Sequence, residues 1–107
     1  MNVYFTYILA SRPRGTLYIG VTNSIIRRVM QHRAGEGSEF TRRYRVHMLV
    51  WYAEFHNVSD AIQREKTIKE WPRAWKVNLI EHDNLHRQDL YPGLPGVAPI
   101  QFRKPLS

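Results

Sequence analysis

The chain has 107 residues, a formal charge of +7 at neutral pH, 43% hydrophobic and 12% aromatic residues, and no cysteine. That suffices for one domain with a modest core, excludes disulfides, Cys-based metal centres and Cys nucleophiles, and points to a polyanionic partner, nucleic acid first. No basic-led apolar leader with a small-residue cleavage site opens the chain, and no apolar run approaches the ~18 residues of a membrane span, so a cytoplasmic, reducing setting is expected.

Val3 to Ala10 is rich in β-branched and aromatic residues and reads as a mostly buried strand. Ser11 to Gly15 is a turn punctuated by Pro13 and Gly15, and Thr16 to Val21 reads as the second strand of a hairpin. Alternate strand residues share a face, so Tyr7 goes with Phe5 and Leu9, and Tyr18 with Thr16 and Gly20. Thr22-Asn23-Ser24 offers N-cap side chains to a helix running to Arg33. At helical spacing Ile25, Ile26, Val29 and Met30 form an apolar stripe. Arg28 and His32 are an i, i+4 pair on one border of that stripe, while Arg27 lies on the other. Periodicity does not choose between the two arginines; the pairing with His32 favours Arg28.

Ala34 to Arg45 is expected to be a loop. Arg33, Arg42, Arg43 and Arg45 with Phe40 and Tyr44 make it basic and aromatic, a mixture suited to phosphates and base stacking. A solvated loop anchored by its aromatics is the plainer alternative. Val46 to Phe55 is apolar on both faces, as a central strand would be. Asn57 to Asp60 caps a helix over Ala61 to Glu70, with Val58, Ala61, Ile62 and Ile68 as its apolar stripe. Glu65 projects into that stripe, where a carboxylate is costly unless it meets a cation. It is therefore a candidate metal ligand or catalytic acid, the alternative being a carboxylate that reaches a structural Arg. Trp71-Pro72 breaks this helix, and Pro72 suits the first turn of another. That helix, Arg73 to Glu81, is expected to turn Trp75 and Leu79 inward with Asn78 beside them. Residues 83–107, Pro- and Gly-rich, are expected to be an irregular, frayed tail to a domain spanning 1–82.

Two tyrosines, an arginine, a histidine and a carboxylate on a basic chain supply what phosphodiester hydrolysis requires. Arg28 offers a fork of donors to phosphate. Glu65 can hold a Mg²⁺ that keeps most of its waters. Tyr7, Tyr18 or His32 can orient or deprotonate water.

Phe5-Thr6-Tyr7, Tyr18-Ile19-Gly20, Arg28, His32 and Glu65 together resemble the signature of the GIY-YIG endonuclease superfamily. In the first triad only Tyr7 matches, because Phe5 and Thr6 replace the Gly and Ile; Tyr18-Ile19-Gly20 matches in full. The spacing of the family's catalytic arginine, ten residues after the second tyrosine, selects Arg28 over Arg27. His32 matches a histidine four residues later, Glu65 the metal-binding glutamate, and Asn78 a late asparagine. Thr22-Asn23, Thr41 to Tyr44 and Lys76 to Ile80 are similar to the short stand-alone bacterial subgroup. The resemblance covers about residues 3–81. It implies an α+β fold, a three-stranded antiparallel sheet flanked by helices, and cleavage of DNA with Mg²⁺ or Mn²⁺ as cofactor. The site it implies comprises Tyr7, Tyr18, Arg28, His32 and Glu65, with Glu65 holding the metal and a tyrosine helping to activate water. Arg27, Arg33, Arg42, Arg43, Arg45 and Asn78 are the expected nucleic-acid contacts, structured or damaged DNA the expected substrate. Family members of known specificity carry extra domains for which this chain has no room, so a protein partner is one expected source of target choice. The competing expectations are a non-catalytic nucleic-acid-binding module and a basic interaction domain.

Overall fold

The structure is a computed structural model and describes residues 2–97; the last part of the expected tail, 98–107, lies outside the described residues. Three strands, β1 (Tyr4–Ala10), β2 (Leu17–Thr22) and β3 (Met48–Phe55), form one antiparallel sheet in the order β2-β1-β3. Four helices follow the chain around it: α1 (Ile25–Arg33), α2 (Glu39–Tyr44), α3 (Val58–Glu70) and α4 (Arg73–Asp83). The fold is thus the α+β arrangement the sequence pattern implies.

β1 is central, and β3, expected to be central, is an edge strand. Its two apolar faces have another cause: the sheet is covered on both sides. Tyr7, Leu9, Ile25, Val29, Val46, Leu49 and Leu94 pack on one face. Ile8, Ala10, Ile19, Val50, Trp51, Ile68 and Ile80 pack on the other, beneath α3 and α4. The register between β1 and β3 slips after Ile8, which pairs with Trp51 while Leu9 pairs with Leu49. Val50 is therefore an extra residue, a bulge that sends both Val50 and Trp51 to the α3–α4 face.

The segment after α4 closes the exposed edge of β3. Leu90 donates its backbone N–H to the Leu49 carbonyl at 2.7 Å, and Asp89 accepts the Leu49 N–H at 3.1 Å. Asn84 is buried and donates from its side chain to the Val50 carbonyl. An open strand edge is a hazard for edge-to-edge pairing, and here residues 84–90 cover it. Residues 84–97 carry a single 3-10 turn at Tyr91–Gly93, and Leu94 is buried in the α1-side core.

Three local expectations change. Residues 39–44 are helical: Ser38 caps α2 by accepting the Thr41 N–H, Glu39 sits in its first turn, and Arg45 closes it in the left-handed region at φ 55°. On α1 the buried residues are Ile25, Val29 and His32, while Met30 is 54% exposed. The inward stripe is thus rotated toward the Arg28–His32 border and away from Arg27. Ser24 makes no side-chain cap bond there; the Thr22 hydroxyl instead accepts the Ser24 N–H. On α4, Trp75 is 56% exposed and so points outward, stacked edge-on against Trp71.

Candidate active site

The β1–β2 register pairs Tyr7 with Gly20 and Leu9 with Tyr18, so Tyr7 and Tyr18 lie on the same face, their ring centres 6.3 Å apart. The Tyr7 ring crosses Gly20 so closely that a Cβ there would sit 2.6 Å from the phenol oxygen. This close approach is what requires glycine at the end of Tyr18-Ile19-Gly20. α1 covers this face and delivers His32, 3% exposed, whose Nε2 lies 3.2 Å from the Tyr7 hydroxyl. The His32 ring also lies 5.3 Å from that of Tyr18.

The imidazole is held from behind. Its Nδ1 is 2.8 Å from the Thr41 hydroxyl, which is buried and linked to the Ser38 hydroxyl at 2.9 Å. Gly37 presses against the same ring, since a Cβ there would fall 2.0 Å from Nδ1. Sequence reasoning missed Thr41 as a site residue because α2 was read as a loop. The available signal was Ser38 followed by Glu39, an N-cap and first-turn acid that announce a helix start.

Two charged groups act on this pair. Burial raises the pKa of Tyr7 above the ordinary phenol value; Tyr18 and Glu65 add to the rise, and the Arg28 guanidinium opposes it. His32 is pushed down to about 4 by burial and then by Arg28. At neutral pH the hydroxyl of Tyr7 is therefore intact and the imidazole neutral. Tyr7, Tyr18, Arg28, His32 and Glu65 thus share one electrostatic neighbourhood centred on Tyr7, although Glu65 comes from α3, whose Ile68 belongs to the opposite face of the sheet.

Glu65 follows the fully buried Ala61 by one turn, and its side chain is 19% exposed. Its carboxylate draws in the ammonium of Lys69 at 2.8 Å, not a structural arginine. Among the described residues no three His, Cys, Asp or Glu side chains converge into a metal cage. A single carboxylate already paired with a mobile surface cation nonetheless fits Mg²⁺, which commonly takes one or two carboxylates and completes its shell with water and substrate phosphate.

The expected nucleic-acid residues divide. Arg27 is exposed on α1; Arg42 and Arg43 are exposed on α2, and Arg45 at its C-cap. Phe40 lies 6.1 Å from Tyr18 and 4.9 Å from Tyr44, and Arg43 lies over the Tyr44 ring at 5.9 Å. A basic and aromatic path therefore leads outward from Tyr18 along α2. Arg33 is engaged elsewhere: it pairs with Asp89 and stacks on Tyr91 at 4.7 Å. Asn78 is exposed on α4 in a groove with Trp71, Trp75, Leu79 and His82.

Residues 3–78 match the GIY-YIG catalytic domain family. The chain is 37% identical over 78 residues to the UPF0213 protein of Oceanobacillus iheyensis, covering 73% of this chain and 90% of that one. It is 40% identical over 77 residues to the UPF0213 protein of Natronomonas pharaonis, covering 72% and 89%. Its fold is similar to the solution NMR structure of the UPF0213 protein from Bacillus halodurans, at TM-score 0.50 and 28% identity, over 77% of this chain and 86% of that one. None of the described helices is long and apolar enough to cross a membrane. The chain belongs to the GIY-YIG family, within the nuclease superfamily, and to its group of short UPF0213-type proteins.

Proposed function

We propose that the chain is a divalent-metal-dependent endonuclease that hydrolyses DNA phosphodiester bonds in a cytoplasmic setting, with structured or damaged DNA as substrate. The observation that carries this reading is the buried Tyr7–His32 hydrogen bond lying within the fields of both Arg28 and Glu65. Arg28 binds the scissile phosphate. The exposed Arg27, Arg42 and Arg43 hold the flanking backbone, while Phe40 and Tyr44 offer stacking faces. Glu65 would hold a Mg²⁺ or Mn²⁺ ion in place of Lys69, and that ion would supply positive charge for the transition state and the leaving oxygen.

The proton path follows from the two pKa shifts. A phenol raised by burial is a poor base by itself, and an imidazole lowered by burial and then by Arg28 is a poor acceptor. A phosphate on Arg28 offsets that guanidinium's charge and so removes the smaller of the two causes that lower the proton affinity of His32, burial being the larger. Tyr7 then passes its proton to Nε2 as it takes one from water: the phenol O–H breaks and re-forms with the water's proton, Nε2–H forms, the hydroxide equivalent bonds to phosphorus, and the P–O3′ bond breaks, the leaving oxygen taking a proton from solvent.

The test is a nicking assay on branched, single-stranded and duplex DNA with Mg²⁺ or Mn²⁺. Cleavage is expected, with Arg28→Ala and Glu65→Ala each lowering kcat at least roughly 100-fold. Full activity in Glu65→Ala would sink the metal role. Salt-sensitive DNA binding without cleavage under any metal would leave a non-catalytic binding module.

A further inference from the structure

We infer that Thr41 is a positioning residue: by accepting the Nδ1 proton of His32 it fixes the imidazole in the tautomer whose bare Nε2 faces Tyr7. The geometry is one buried chain, from the Tyr7 hydroxyl to His32 Nε2, through Nδ1 to the Thr41 hydroxyl, and on to Ser38.

The direction of the protons follows from donor counting at the Tyr7 end. The Tyr7 hydroxyl is buried, and among the described residues its hydrogen-bond partner is His32 Nε2. In the free chain, before substrate brings a water to it, a buried phenol that did not donate would forfeit a hydrogen bond. Tyr7 therefore donates, and Nε2 is the acceptor. A neutral imidazole with an acceptor Nε2 carries its proton on Nδ1. Thr41 must then accept, and its own proton has an outlet at the Ser38 carbonyl, 3.2 Å away. The opposite tautomer would have Nε2 donate to Tyr7 and leave the phenol proton without a partner. The Tyr7 end selects this assignment, and the Thr41 end accommodates it because the Thr41 proton can go to the Ser38 carbonyl.

Thr41 is suited to this task. It is 1% exposed, and its hydroxyl is anchored by the residue that caps α2. Gly37 leaves the room that lets the ring sit against this loop, so the imidazole is fixed in plane as well as in tautomer. When Nε2 takes the proton of Tyr7, the Nδ1–H is already paired and no side chain has to turn. Thr41 also lies in the short helix that carries Phe40, Arg42 and Arg43. The helix that would touch the nucleic acid is thus the helix that holds the histidine.

The kinetic half of this inference rests on the nuclease reading; the tautomer half does not. The experiment is long-range proton–nitrogen NMR of the His32 ring in the nitrogen-15-labelled full chain at neutral pH, for the wild type, Thr41→Val and Thr41→Ser. The wild type and Thr41→Ser are expected to show Nδ1 protonated and Nε2 bare. In Thr41→Val, whose methyl cannot accept, the signal should move to the Nε2–H form or to a mixture. In the cleavage assay Thr41→Val should lose roughly 10- to 100-fold in kcat with KM unchanged, and Thr41→Ser should recover it. A wild-type ring protonated on Nε2 overturns the inference even if Thr41→Val fails to fold, as does an unchanged tautomer in a folded Thr41→Val. If the wild type cleaves nothing, the nuclease reading fails while the ring spectra still decide the role of Thr41.

Discussion

On the α3–α4 face of the sheet, Ile8, Ile19, Ile68 and Ile80 meet as hydrocarbon, and the one buried hydroxyl, Thr6, is satisfied by the Ala61 carbonyl at 2.7 Å. On the α1 face, Tyr7 and Val29 share the core with a buried histidine and threonine, and two arginines stand at its rim. The first face gains free energy from nearly every residue it buries. The second gives part of that gain up to keep a phenol and an imidazole dry and unionised. Stability is thus concentrated on one side of the sheet and the proposed chemistry on the other, with β1 alternating between them: Thr6, Ile8 and Ala10 toward one, Tyr7 and Leu9 toward the other.

The comparison can be broken most forcefully on the apolar side. Ile68→Ala should cost about 2–5 kcal/mol of stability, from lost burial plus the cavity left behind, with the His32 tautomer and any cleavage unaltered in the folded fraction; urea unfolding measures the first, and NMR and nicking the second. If activity fell with stability intact, the division of labour between the faces would be wrong.

The reactive side should announce itself by pH. His32 titrates at about 4 in the folded chain against an ordinary 6.5, so the folded state binds fewer protons than the unfolded state between those values. Its contribution to stability is therefore complete above about 6.5 and is lost as pH falls through about 4. The slope approaches about 1.4 kcal/mol per pH unit within the window. Denaturant titrations of the wild type and His32→Gln across that range should differ by this term; parallel curves would mean that the imidazole is not buried neutral.

A smaller effect separates the arginines. Asp89→Ala strips partners from the Leu49 and Tyr91 N–H groups and from Arg33, and should cost about 1–3 kcal/mol. Arg33→Ala should act through the same contact, lowering stability while leaving DNA affinity close to wild type. Arg43→Ala should do the reverse, weakening binding and reducing the salt slope by about one unit. Calorimetry and binding across a salt series check the pair.

Much of this was legible in the sequence. Period-two alternation put Tyr7 and Tyr18 on a common face, and the 3.6 period placed Arg28 and His32 on a common border, because both patterns are local and backbone geometry enforces them. What stayed hidden depended on distant chain. The two apolar faces of β3 signalled double coverage, which a central strand and an edge strand beneath two helical layers share equally. Trp75 satisfied helical spacing with Leu79, yet α4 is oriented by Ile80, which is buried while Trp75 is not. The α2 helix is six residues long and rich in arginine, so its periodicity is slight; it forms where Ser38 caps it and Thr41 is buried against His32.

The clamp between Arg33 and Asp89 also sets an order of assembly. The hairpin and α1 are adjacent in sequence and can form early, whereas Thr6 must wait for Ala61 and α1 must wait for residue 89 before it is pinned. Contacts of such separation close late and slow the last step of folding. On the ribosome, the first half of the chain would emerge bearing Tyr7, Arg28 and His32 but neither the carboxylate of Glu65 nor the strap that steadies α1. On the proposed mechanism, a nascent chain would be inert toward nucleic acid chemistry until nearly all of the described fold has been made.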